Sequence, residues 1–263
     1  MNELLGWISD TNQLMLFSFA FMRMSGFVFF NPILGRKNIP VVVRGAFIMI
    51  LSLTLYLYAD AEVMEVGTNV EYSILLIREL IIGLVMGFIM ELFAMVFTYA
   101  GGIMDFQMGL SMATIYDAQN GEPIPLSGSF YNAFFIMAFF AMNGHLTLMK
   151  LVISSIQYLP FGTFQIPVEI SQAVLDIFCQ CITLAVQFAF PILATQFLIE
   201  FAVGILMKMI PQINIFVVNV QIKIVAGILI LIVLFSPMGN YLQTIINKML
   251  QVLGETLKLF IVS

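Results

Sequence analysis

Three stretches of this 263-residue chain contain no Asp, Glu, Lys or Arg: between Glu122 and Lys150, between Asp176 and Glu200, and between Lys223 and Lys248. Each exceeds the about 20 residues that a helix needs to cross a bilayer. Apolar segments recur along the whole chain, at residues 14–30, 39–59, 72–100, 128–159, 173–210 and 213–236, and an amphipathic stretch follows at 241–260. Hydrophobic residues make up 61% of the chain and charged ones 10%, far below the about 25% charged of an average soluble domain. The fold class expected is all-α: membrane-type helical hairpins with broken or kinked helices, in one domain over residues 1–263.

The net charge of −5 comes without a basic run, which leaves a nucleic-acid partner without electrostatic support. Ahead of the first apolar run stand Glu3 and Asp10 and no Lys or Arg, the reverse of a cleavable leader, so the first segment is expected to be retained. Cys179 and Cys181, two apart in an apolar segment, turn to different faces of a helix and make neither a disulfide nor a metal pair. Orientation is undecided. With six spans, Arg36, Lys37, Arg44, Lys208 and Lys223 fall on one side and Arg78, Lys150, Lys248 and Lys258 on the other, a near balance.

Two segments resist a simple bundle. Residues 173–207 would form a helix of about 52 Å, too long for a ~30 Å hydrocarbon layer, and Pro191 near the middle predicts a kink or a helical hairpin. VNVQIKI (218–224) alternates polar and apolar residues like a strand. It is read as the irregular entry to a helix, because an open strand in lipid leaves backbone groups unpaired. From Tyr241 onward, Leu242, Ile245, Ile246, Met249, Leu253 and Leu257 share one helical face, with Gln243, Asn247, Gln251 and Lys258 largely opposite. That face suits a membrane surface, the chain's own bundle or a partner.

In RELIIGLVMGFIMELF, Glu79, Gly83, Gly87 and Glu91 are spaced by four and line one side of a helix. The GxxxG pair admits another helix at close range. The carboxylates lie about 18 Å apart along the axis, too far to share a partner. A charge at the bilayer centre costs roughly 2.5–3.5 kcal/mol on insertion scales, so the stripe must face protein or water. It is structural and hydrogen-bonded within an assembly, or an ion relay, or partly outside the hydrocarbon layer. Arg23, in the middle of the first apolar run, poses the same problem.

The segment 101–123, GGIMDFQMGLSMATIYDAQNGEP, reads as a long connection with glycine hinges at Gly101, Gly102, Gly109 and Gly121. Met104, Met108 and Met112 recur every four residues and suit either a core or a surface that seals and unseals. A connection this long is more often functional than idle, and hinges with soft side chains suggest a plug or lid. Enzyme chemistry lacks its parts. His145 is the single histidine, and the sequence holds no phosphate-binding loop, nucleophile elbow or HExxH. No catalytic residue, cofactor or metal ligand is assigned.

Taken in order, these residues resemble the FliR/SctT family, the export-gate membrane component of type III secretion. The likeness runs over nearly the full length. It is carried by Arg23, Gly26, Pro32, Gly35, Pro40 and Arg44, then Glu79, Gly83 and Gly87, then FQMGLSMATIYD, Asn143, Gly144, His145, Pro160, Pro191 and PQINIFVV (211–218). QMGLS is closer to the flagellar branch. The resemblance implies a multi-pass protein of the bacterial inner membrane and flagellar basal body. It implies assembly with FliP-like and FliQ-like subunits and an FlhB-like switch protein into a helical pore for unfolded protein substrates. It also implies a pore plug at Phe106, Gln107, Met108, Gly109, Leu110, Ser111 and Met112, and helix-packing or subunit contacts through Arg23, Glu79, Gly83, Gly87, Glu91, Pro211, Gln212 and Asn214. Asn219 and Gln221 stand where the family usually has Gly and Pro, and Ala118 follows Asp117 where Pro is usual. An ion-coupled small-molecule transporter using Glu79 and Glu91, or a passive assembly scaffold, are the rival functions.

Overall fold

The computed structural model describes residues 11–36, 38–59, 68–112, 115–117, 122–162, 169–209 and 215–260. Among the described residues, one small hairpin accompanies the helices. The helices are α1 (Thr11–Phe30), α2 (Val41–Tyr58), α3 (Asn69–Met108), α4 (Leu126–Ala141), α5 (Gly144–Tyr158), α6 (Glu169–Met209) and α7 (Ile215–Leu259). Between α3 and α4, a 3₁₀ turn at Leu110–Met112 leads to strands β1 (Ile115–Asp117) and β2 (Glu122–Ile124), which pair antiparallel with Tyr116 opposite Pro123. Among the described residues, five helices are long and apolar enough to cross a membrane, and α4 with α5 forms a further pair bent by 71°.

The sequence explains most boundaries. Pro40 and Pro125 stand immediately before α2 and α4, where a missing N–H does no harm. The 128–159 segment, read as one span, breaks at Asn143, whose φ of 57° is left-handed and which precedes Gly144. Three other expectations are corrected. Residues 101–108 continue α3 and are not a loop. Pro191 does not produce a hairpin: Glu169–Met209 is one helix. A proline removes a single donor, and just beyond it the Thr195 hydroxyl donates to the Pro191 and Ile192 carbonyls at 2.9 and 3.0 Å. Finally, VNVQIKI is helical, and the 213–236 segment and the amphipathic stretch are parts of the single helix α7, which contains Pro237.

The chain divides into two compact units, one of residues 1–92, 143–177 and 248–263, the other of 93–142 and 178–247. In the first, α1 packs on α2 and on the N-terminal half of α3. In the second, rings make the core. Phe97 meets Phe135 and Phe188 with centroids at 5.2 and 5.5 Å, Tyr131 meets Phe188 edge-on at 4.9 Å, and Tyr131 donates its hydroxyl to the Met238 sulfur at 3.1 Å.

The amphipathic face of α7 is packed away: Leu242, Ile245, Ile246, Met249, Leu253 and Leu257 are all buried, while Gln243, Asn247, Gln251 and Lys258 are exposed. Upstream on the same helix, Val225, Leu229, Ile232 and Val233 are open. An apolar exterior of this kind is that of a chain surrounded by lipid or by apolar partners. Of the long helices α3 is the most enclosed, with 61% of its most apolar stretch buried against 11% for α7.

Candidate functional site

The predicted charges come together within one unit. Arg23 on α1 and Glu79 on α3 form an ion pair, Nε to Oε2 at 2.6 Å, with the two side chains 0% and 1% exposed. The rest of the guanidinium is also engaged. One terminal nitrogen donates to the Leu159 carbonyl at 3.0 Å, the other to the Ser155 carbonyl and hydroxyl at 3.4 Å. The Phe161 ring lies beneath, with its centroid 4.6 Å from Cζ. The second carboxylate oxygen of Glu79 accepts the Gly162 N–H at 3.3 Å. Three elements thus meet on one charge pair: α1, α3, and the end of α5 with the turn after it.

The small residues of the stripe let this happen. A methyl group on Gly83 would strike the Arg23 carbonyl, one on Gly26 would lie 2.9 Å from the Leu84 nitrogen, and one on Gly87 would lie 2.6 Å from the Phe27 carbonyl oxygen. Absence of Cβ atoms is what lets α1 lie against α3. Within the chain it is α1 that packs on Glu79, Gly83 and Gly87, as a helix-packing role of the stripe requires. Glu91, further along the stripe, is half-buried. Paired with Arg23 and bonded to Gly162, the Glu79 carboxylate is anchored and not available to a substrate.

The predicted plug residues fall in the other unit. Phe106, Gln107 and Met108 form the last turn of α3. Phe106 is 75% exposed, whereas Met104 and Met108 are 0% exposed, so these two methionines fill a core. A methyl group at Gly227 on α7 would collide with the Met108 side chain. Gln107 donates to Glu200 on α6 at 3.5 Å, and Glu200 accepts from Lys223 on α7 at 2.9 Å. Gly109 ends the helix with φ +78°, a backbone conformation that L side chains rarely adopt, and Leu110, Ser111 and Met112 form the 3₁₀ turn. Pro211, Gln212 and Asn214 lie outside the described residues.

One functional pairing escaped the sequence. Asp105, 2% exposed, accepts the Ser127 backbone N–H at 3.1 Å and the Ser127 hydroxyl. Ser127 is the second residue of α4, whose N-cap position is Pro125 and has no side-chain acceptor. The Asp105 carboxylate caps that helix from elsewhere in the chain and meets the positive end of its dipole. Beside it, a methyl group on Gly101 would run into the backbone of Gly128. The only available signal was an acidic residue inside an apolar run.

Residues 14–249 match the family described as bacterial export proteins, family 1. The chain is 28% identical over 254 residues to the flagellar biosynthetic protein FliR of Bacillus subtilis strain 168, covering 94% of this chain and 96% of that protein. It is 24% identical over 254 residues to the flagellar biosynthetic protein FliR of Escherichia coli K12, covering 95% and 94%. The surface presentation of antigens protein SpaR of Shigella flexneri is 26% identical over 225 residues, covering 85% and 86%.

Proposed function

The chain belongs to the bacterial export proteins, family 1, and on that premise we propose that it is a subunit of the flagellar type III export gate. In this reading it sits in the inner membrane at the flagellar basal body. It assembles with FliP-like and FliQ-like subunits, meets an FlhB-like switch protein, and lines the pore through which unfolded flagellar proteins pass. The observation that carries the proposal is the family match over residues 14–249, joined to flagellar biosynthetic relatives that cover almost the whole chain. In this reading the energy for export comes from other components or an ion gradient.

The plug in this reading is the segment from Phe106 to Met112. In its support, α3 stops at a left-handed glycine and turns, and Phe106 stands exposed beside the turn. The buried Met108 moves the emphasis from the methionines to the residues from Gly109 onward. Deleting Leu110–Met112 should leave the complex assembled and make vesicles leaky to small ions, while unchanged permeability would remove the plug assignment. Conductance of the purified complex separates a pore subunit from a passive scaffold, which would conduct nothing. The transporter alternative loses its first carboxylate, because Glu79 is committed to Arg23 and Gly162.

A further inference from the structure

We infer that Asp105 is a positioning residue of the proposed gate: by clasping the start of α4 it fixes the end of α3, so that the chain pivots at Gly109 and not at the glycine pair 101–102. The inference rests on the plug reading and narrows it to a moving and a fixed part.

Four contacts hold the fixed part. Asp105 is buried and takes both the N–H and the hydroxyl of Ser127. The carboxylate also faces the helix end where negative charge is most favourable. A side chain on Gly101 would run into the Gly128 backbone, which makes Gly101 a packing glycine. Met108 is fully enclosed beside Gly227, and Gln107 reaches Glu200. Every residue from Gly101 to Met108 is helical, so a hinge there would have to break helix hydrogen bonds as well as these contacts.

Gly109 differs in each respect. Its φ is +78°, its N–H reaches only back to the Phe106 carbonyl at 3.2 Å, and a methyl placed on it would meet nothing nearer than the Val220 side chain at 4.0 Å. It is the first residue beyond the anchored turn with a backbone free to rotate and no close neighbour at its Cα. The 3₁₀ turn at Leu110–Met112 follows directly. The clasp holds the base of the turn still, and rotation at Gly109 moves the turn itself.

The test uses membrane vesicles carrying the assembled export complex. Asp105→Ala should raise the resting potassium leak several-fold with the complex still recovered, and Asp105→Asn, which keeps an acceptor oxygen, should restore part of the seal. In a background with Cys179→Ser and Cys181→Ala, Asp105→Cys combined with Ser127→Cys can be oxidised to lock the clasp. The locked complex should show the wild-type leak and still export a flagellar substrate at the wild-type rate. A locked complex that stops exporting and resumes on reduction would overturn the inference, because the base would then have to open. So would a wild-type leak in Asp105→Ala. Should Asp105→Ala fail to assemble, the oxidised pair decides alone. The deletion of Leu110–Met112 keeps the two levels apart: an unaltered leak there sinks the plug, whereas a leaky deletion with an export-dead lock sinks only the clasp.

Discussion

The two units of this chain are held by different means. The first closes on a buried ion pair: Arg23 and Glu79 are out of solvent, and every remaining guanidinium nitrogen has a carbonyl or hydroxyl to donate to. The second closes on rings, and its ion pair, Lys223 with Glu200, is open, with Glu200 48% exposed. A charge pair withdrawn from solvent is directional and unforgiving, since loss of one partner strands the other. Rings tolerate small shifts, and a half-exposed pair keeps its solvation. The first unit adds a buried, directional charge pair to its packing, whereas the core of the second rests on several ring contacts.

Substitutions turn this contrast into a ranked set of expectations, each read as the change in resistance to unfolding in detergent. Arg23→Met leaves the Glu79 charge buried without its cation and should cost about 3–5 kcal/mol, enough to remove the folded protein from the membrane fraction. Gly83→Ala should cost roughly 1–3 kcal/mol by pushing α1 off α3, because the obstacle is the Arg23 backbone and cannot rotate aside. In the ring-built unit, Phe188→Leu loses the ring contacts with Phe97, Tyr131 and Tyr241 but keeps an apolar side chain in place, and should cost about 1–1.5 kcal/mol. Lys223→Met should cost under about 1 kcal/mol, falling further at high salt. A loss at Lys223 equal to that at Arg23 would erase the difference between the units.

Much of the helical architecture is legible in the sequence, since charge-free windows and apolar runs mark spans directly. The amphipathic face from Leu242 to Leu257 is also legible, and it is buried residue for residue. What the sequence hides is the use to which small and special residues are put. Gly101 and Gly102 look like hinges, but Gly101 is there for close approach, and a glycine in a string shows its freedom and not what lies against it. Asn143–Gly144 breaks the 128–159 run, a turn signal outweighed by the apolar residues on both sides. Pro191 and Pro237 sit inside long helices because packing outweighs one missing donor. Arg23 and Glu79 stand out as charges in apolar runs, yet no period links residues 56 apart. Ser155, Leu159 and Gly162 contribute backbone groups or a common hydroxyl, which no pattern of residue types reports.

The most direct test of the intramolecular pair is a double-mutant cycle of Arg23→Met and Glu79→Gln on the isolated chain in detergent, free of any sister subunit. Pairing within the chain predicts that the double variant is more stable than the sum of the two single losses allows, by roughly 2 kcal/mol or more. Strictly additive losses, or two harmless single variants, would contradict it, and the acidic face of α3 would then have to find its cover in another molecule.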